Sequence, residues 1–222
     1  MLTEAHGPSL LGVGQRPVAA LVVIFTVQNG SLQVLLIRRS APPYQGWWSL
    51  PGGLLALGEG PDAAAVRKLA EETGVADVYL EQLYTFWDLD DREGVAVSYF
   101  ALVDARQAHL AQRQEWPPAW WPVDGLPPLA FKNERVVEYA LRRLRAKLEY
   151  SNVAYSLLPV QFTLSQLQRV YEAILGRRLD KRNFRRRMLS LGLIVPTGAR
   201  AVEGRHRPAQ LYAFKERRPV LF

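Results

Sequence analysis

Residues 53–75 read GLLALGEGPDAAAVRKLAEETGV. Pro61 suits the first turn of a helix, where its missing N–H has no intrahelical partner to lose and its fixed φ is already helical. Ala63, Ala64 and Ala65 continue the turn without loss of side-chain freedom, and Gly74 can take the left-handed conformation that ends it. The spacing predicts a helix over 62–73. Residues four apart share a helix face, so Arg67 stands beside Glu71 and Lys68 beside Glu72. Glu59, separated from Gly53 by five residues, lies in the loop just before the helix. Clustered carboxylates are the hard oxygen donors that Mg²⁺ prefers, and a lysine set among them works against that use.

Outward from this segment the chain alternates between strands and loops. Residues 18–27 (VAALVVIFTV) and 32–38 (LQVLLIR) are rich in β-branched side chains, and Asn29-Gly30 between them is a hairpin signal. Residues 41–60, rich in Pro, Gly and Trp, read as a structured loop, and 78–87 and 95–103 read as strands. The proline-rich stretch 115–128 reads as loop. Residues 133–150 read as a long amphipathic helix, with Val136, Val137, Ala140, Leu141, Leu144 and Leu148 on one side.

The chain has 222 residues, 49% of them hydrophobic and 22% charged, which fits one or two globular domains and excludes wholesale disorder. It has no Cys, so disulfides, thiol nucleophiles and Cys zinc sites are out, as suits a reducing compartment. The three His (His6, His109 and His206) share no metal-ligand spacing. The longest apolar run spans about half a bilayer, and the N-terminus lacks a signal-peptide layout, so a cytoplasmic protein with no membrane partner is expected. The net charge of +7 is unevenly placed: residues 1–150 carry net −3 and residues 151–222 carry net +10. A segment that basic repels itself unless it meets an anionic partner; nucleic acid, a membrane surface and a merely solvated face all fit the charge. The switch marks a domain boundary near 150, with helix 133–150 as connector.

Residues 53–75 resemble the Nudix box, Gly-x5-Glu-x7-Arg-Glu-U-x-Glu-Glu-x-Gly-U, where U is aliphatic. Gly53, Glu59, Arg67, Leu69, Glu71, Glu72, Gly74 and Val75 stand at its positions, and QGWWSLPGG over 45–53 looks like its approach. The resemblance implies enzymes that split a diphosphate using divalent metal, centred on the Glu after Arg and the second Glu of the Glu-Glu pair. Here the first of these is Lys68. It removes a carboxylate, places an ammonium where the ion belongs, and can pair with Glu72. The expectation is a degenerate box without catalytic residues, without a metal and without a required cofactor, on a scaffold that still binds its nucleotide. In the alternative, Lys68 turns aside and Glu59, Glu71 and Glu72 retain Mg²⁺. The chain is then an active hydrolase cleaving ADP-ribose to AMP and ribose 5-phosphate.

Candidate ligand contacts are Gly53, Glu71 and Glu72 of the box, with Arg38 and Arg39 for phosphate and Trp47, Trp48 or Trp87 for stacking. Arg92 joins them, within the acidic run 88–93, where many ADP-ribose-type Nudix proteins carry a substrate loop. Core packing of the aromatics and solvation of the arginines explain the same residues equally well.

In the basic half, Thr163-Leu-Ser-Gln166 is a capping box opening a helix over 164–175, and 176–179 form a turn. Asp180 can cap a second helix, 181–191, which Gly192 ends. Short strands over 193–196 and 210–214 flank a basic loop. Helix, turn, helix and basic hairpin make a winged helix-turn-helix. Phe184, Met188 and Leu191 share the packing face. Arg182, Asn183 and Arg186 lie mostly opposite, the side-chain types that read guanine and adenine edges. Lys181, Arg185 and Arg187 suit phosphate, and Arg205, His206 and Arg207 belong to the wing. RNA or an acidic protein surface are the other partners this layout allows.

The stretches FKNERVVEYALRRLRAKLEY, LLPVQFTLSQLQRVYEAILG, LDKRNFRRRMLSLG and RPAQLY look like NrtR, the Nudix-related transcriptional regulators of NAD metabolism. The resemblance implies an α/β fold: a Nudix-like α/β/α sandwich with a mixed sheet (1–150), fused to a C-terminal winged helix-turn-helix (151–222). It implies a homodimeric repressor on palindromic operator DNA, released by ADP-ribose or a related NAD metabolite. Lys132-Asn133 stand where this family's pattern has Asp-His.

Overall fold

The computed structural model describes residues 17–74, 79–89, 94–110, 112, 117–201 and 208–222. Strands β1 (Val18–Gln28) and β2 (Ser31–Arg38) form the expected hairpin. Asn29 (φ 51°) and Gly30 (φ 77°) both take positive φ, as the two-residue turn that matches strand twist demands. β3 (Trp48–Ser49) pairs with β2, and β4 (Gly52–Leu54) pairs antiparallel with β1. A Cβ on Gly52 would lie 2.4 Å from the Ala20 carbonyl oxygen, so only glycine permits this approach.

Helix α1 (Pro61–Thr73) follows, with Pro61 in its first turn and Gly74 closing it at φ 65°. β5 (Tyr79–Phe86) pairs antiparallel with β6 (Val95–Leu102), and β6 runs parallel to β1 from Val18–Val95 to Phe25–Leu102. The sheet is therefore mixed, in the order β3-β2-β1-β6-β5. Its two faces follow the alternation of side chains along each strand. Val22, Ile24, Leu35 and Tyr99 bury against Ala65 and Leu69 of α1. Val23, Phe25, Val34 and Phe100 bury on the other face, against Val136, Val137, Ala140 and Leu144 of helix α2 (Asn133–Tyr150). The result is the sandwich of helix, sheet and helix.

The stretch 115–128 departs from the loop expectation. Residues Pro118–Pro122 form strand β7, antiparallel to β2. Its two prolines stand at the strand ends, where the lost donors are tolerated, and Trp121 packs edge-on against Trp48 with ring centroids 5.3 Å apart. A short 3₁₀ turn, Val123–Gly125, completes the crossing.

Beyond α2, a buried 3₁₀ turn (Val153–Leu157) leads into β8 (Phe162–Thr163), helix α3 (Leu164–Leu175) and helix α4 (Lys181–Ser190). Strands β9 (Ile194–Ala201) and β10 (Ala209–Phe214) pair antiparallel, and β8 adds to β10, a third strand that the two-residue Phe-Thr segment did not announce. Thr163 and Gln166 form the capping box reciprocally, and Asp180 Oδ1 accepts from the Asn183 N–H at 2.8 Å. One apolar core continues from the sheet through α2 into Leu167, Val170, Tyr171 and Ile174 of α3. The winged helix thus packs directly on the first domain.

The tail folds back on this junction. The Asn152 side chain donates to the carbonyls of Glu216 (3.2 Å) and Arg218 (3.0 Å) and accepts from Val220 N–H (2.8 Å). Arg217 donates to the carbonyls of Tyr155 and Leu158, each at 2.9 Å. Part of the basic half's charge is therefore committed to structure.

Candidate functional site

A cavity of about 620 Å³ opens where β4, α1, the end of β5 and the start of α2 converge. Its wall is mostly apolar, from residues such as Leu21, Ile37, Phe86 and Leu89, with Gly52 and Gly53 on one side. Arg39, Ser49, Lys68, Glu72 and Asn133 supply its ionic and polar side chains among the described residues. A few placed polar groups in an apolar cleft are the usual make-up of a small-molecule site.

The box residues form a connected ionic network. Arg67 donates from Nε and Nη2 to the two oxygens of Glu59, each at 2.8 Å, and from Nη1 to Glu71 at 3.1 Å. Glu59 also accepts the Ala56 N–H at 3.0 Å. The Arg67 hydrogen bonds, chiefly, hold the Glu59 carboxyl at about 2, well below the usual carboxylate value. Lys68 Nζ donates to Glu71 Oε2 at 2.9 Å. Burial alone would raise the Glu71 carboxyl; the hydrogen bonds from Lys68 and Arg67 outweigh it and hold it low.

The expected Lys68–Glu72 pairing is thereby corrected. Lys68 takes Glu71, three residues on, because Glu72 is turned inward and only 3% exposed. Lys68 nevertheless lies on the cavity wall, its Cε 3.8 Å from where a Gly53 Cβ would be. Glu59 and Glu71 are already engaged by cations, and among the described residues no group of three His, Cys, Asp or Glu is placed to hold a metal.

Of the proposed ligand contacts, Gly53, Glu72 and Arg39 line the cavity, and Glu71 sits beside it through Lys68. Arg39 is fixed by donating to the Pro43 carbonyl at 2.9 Å, and its guanidinium lies over the Phe131 ring at 4.7 Å. Burial lowers its pKa. Arg38 and Trp47 do not reach the wall. Arg38 braces the Gly46 carbonyl at 3.3 Å, and Trp47, 46% exposed, packs edge-on against Tyr44. Trp48 packs in the sheet, and Trp87 lies in a separate groove beside the Asp88–Arg135 ion pair. Arg92 lies outside the described residues.

The chain's own spacing gave no sign of Phe131 and Asn133. Phe131 (φ 55°) and Lys132 (φ 50°) are consecutive non-glycine residues in the left-handed region, a strained arrangement that needs support. Asn133 provides it, donating to the Phe131 carbonyl at 3.4 Å and accepting the Leu50 N–H at 2.9 Å. The pair that departs from the expected Asp-His therefore ties α2 to the cavity.

In the basic half, Lys181, Arg182, Asn183, Arg185, Arg186 and Arg187 are all exposed along α4, while Phe184 and Met188 are buried against α3. Arg186 donates to Asn183 Oδ1 at 2.9 Å, which orders two groups on the outer face. Arg187, expected to meet phosphate, is exposed and donates from Nη2 to the Glu149 carbonyl at the end of α2, at 3.3 Å. Arg205, His206 and Arg207 of the wing lie outside the described residues.

The NrtR DNA-binding winged helix domain matches residues 154–214, and the NUDIX domain matches residues 15–141. The ADPR responsive transcriptional repressor NtrR of Acinetobacter baylyi is 39% identical over 202 residues, spanning 87% of this chain and 80% of its own. The chain belongs to the NrtR family of Nudix-related regulators. Family likeness extends to the folded shape. Shewanella oneidensis NrtR, in its complex with a 27mer DNA, superposes with a TM-score of 0.79 at 37% identity, covering 89% of this chain and 93% of that one. The NUDIX domain of the same Shewanella protein, in a complex with ADP ribose, superposes with a TM-score of 0.53 at 36% identity, covering 59% of this chain and 89% of that domain. Family membership gives a single frame to two features that charge and spacing had left separate, an exposed basic helix and an ionically altered Nudix box. No helix among the described residues is long and apolar enough to cross a membrane.

Proposed function

We propose that this protein is a bacterial transcriptional repressor that grips operator DNA with α4 and is controlled by ADP-ribose, or a related NAD metabolite, in the cavity beside the Nudix box. The observation that carries the reading is a Nudix cavity and an exposed Arg-Asn helix joined in one chain, in a family whose relatives include an ADPR-responsive repressor. Residues 1–150 form the effector half and residues 151–222 the DNA half. Arg182, Asn183 and Arg186 read bases, and Lys181 and Arg185 meet phosphate, with Arg205, His206 and Arg207 entering from the wing. As a homodimer on a palindrome it would set two recognition helices about 34 Å apart, one turn of DNA. It would act in the cytoplasm, with genes of NAD metabolism as targets.

The effector can act as a switch only if it binds the off-DNA conformation more tightly. Helix α2 offers the connection: its first residue, Asn133, lines the cavity, and near its far end Glu149 receives Arg187 of α4. Eighteen residues separate the two ends by about 27 Å. No hydrolysis is needed in this scheme, and Mg²⁺ is not required.

The test is selection of bound fragments from genomic DNA, with and without ADP-ribose, followed by incubation of the protein with ADP-ribose and Mg²⁺. Palindromic fragments near NAD-metabolism genes, lost on adding ADP-ribose, are expected, with no AMP formed. AMP released at ordinary enzyme turnover, about 1–1000 s⁻¹, would establish the hydrolase instead.

A further inference from the structure

A diphosphate ligand ordinarily brings a divalent ion with it, and Lys68, on the cavity wall, holds the box position of one of the carboxylates that would bind that ion. A diphosphate carries concentrated negative charge, which must be met by a cation when it leaves water. Mg²⁺ is poorly placed to meet it here. Glu59 accepts from Nε and Nη2 of Arg67, and Glu71 is shared by Arg67 Nη1 and Lys68. Lys68 itself is on the wall, with its side chain 21% exposed, close to Gly53 of β4. Among the described residues, Arg39 is the other cation on the wall, its guanidinium over Phe131. An apolar cleft with two anchored cations is suited to a molecule with a charged middle and less polar ends.

We infer that Lys68 is a ligand-binding residue that replaces the catalytic metal: its ammonium turns from Glu71 to the diphosphate of the effector, so that the nucleotide is bound without Mg²⁺ and left uncleaved. Lys68 donates to Glu71 at 2.9 Å, which keeps the charge partnered until ligand arrives. The ammonium neutralises the diphosphate but supplies no coordinated water for attack, so one replacement both retains binding and removes hydrolysis. Arg39 secures the ligand from the opposite wall.

This inference rests on the effector reading above, and the experiment separates the two. ADP-ribose binding is measured by calorimetry in EDTA and in Mg²⁺, for the wild type, Lys68→Met and Lys68→Arg, with inorganic pyrophosphate in EDTA as a second probe. Thermal melting of each variant establishes that it is folded. The wild type should bind ADP-ribose equally in both buffers, within about twofold. Lys68→Met should weaken it about 10–100-fold, the loss expected for one charge-assisted hydrogen bond, and Lys68→Arg should restore most of it. Tight binding that appears only with Mg²⁺, or Lys68→Met binding as the wild type does, overturns the inference. If ADP-ribose binds in neither buffer, the effector reading fails. Pyrophosphate binding that depends on Lys68 then still supports the inference, and pyrophosphate binding indifferent to Lys68, or absent, overturns it.

Discussion

Replacing Asn133 by Ala measures what holds the start of α2 against the cavity. Asn133 is 1% exposed, and its Oδ1 receives the Leu50 N–H at 2.9 Å within the protein interior. Removing that acceptor leaves a buried backbone donor unsatisfied, which costs about 1–3 kcal/mol. The bond from Nδ2 to the Phe131 carbonyl, at 3.4 Å, is long and adds little. Against this, Ala at a helix position gains about 0.5 kcal/mol over Asn in propensity. The net loss is about 0.5–2.5 kcal/mol, and at about 2–4 °C per kcal/mol for a chain of this size the melting temperature should fall by about 1–10 °C. The loss is also local. Leu50 bridges the β3–β4 segment to α2, so hydrogen exchange of its amide should accelerate sharply, while amides at the centre of β1 should be much less affected. Differential scanning calorimetry gives the first quantity, and exchange followed by NMR gives the second. A melting temperature within 1 °C of wild type, together with unchanged protection at Leu50, would refute the assignment of Asn133 as the tie. Phe131 and Lys132 would then hold their left-handed conformations by some other means.

The double variant Arg182→Ala with Arg186→Ala removes two base-reading groups worth about 1–3 kcal/mol each, so operator binding by fluorescence anisotropy should weaken at least about 30-fold at physiological salt; undiminished binding would show that these side chains do not read the site. Arg187→Ala should cost less than tenfold in the same assay and lower the melting temperature, since its guanidinium is engaged by Glu149; the reverse ranking would return Arg187 to the DNA. Lys68→Glu adds a third carboxylate beside Glu71 and Glu72, and titration calorimetry should show Mg²⁺ bound more tightly than by the wild type; an unchanged affinity would mean Lys68 does not weaken the ion's binding. Glu59 has its carboxyl lowered to about 2 by Arg67, so the unfolded chain binds the proton more readily. Its stabilising contribution is complete above the unfolded value near 4.5 and disappears as pH falls toward 2. Glu59→Gln should flatten that part of the stability–pH profile, and an identical acid limb would argue against the pair.

Features decided by neighbours in the chain were legible in the sequence. The Asn29-Gly30 turn, the Pro61 start and Gly74 end of α1, the Thr163–Gln166 capping box and the Asp180 cap each depend on a few adjacent residues, and each formed as the residues dictate. Proline content misled at β7, because it says that a segment cannot donate at those positions and nothing about whether an edge is available to accept it. The tie from Asn133 to Leu50 spans 83 residues, and the tie from Asn152 to Val220 spans 68, beyond the reach of any local pattern.

Lys68 illustrates where spacing stops being sufficient. Helical periodicity places both Glu71 and Glu72 within its reach, at three and four residues. Burial separates the two: Glu72 lies on the cavity wall at 3% exposure, while Glu71 keeps a 31% exposed side chain and pairs with Lys68. That outcome changes the chemistry. Had Lys68 closed on Glu72, its ammonium would have been paired with a carboxylate that is only 3% exposed. Pairing with Glu71 instead leaves the ammonium at the wall, on a partner that remains accessible to water and so can be exchanged for a ligand's phosphate at small cost. On the inference drawn above, Lys68 can serve as an anion site because the carboxylate it pairs with, Glu71, is the shallower of the two.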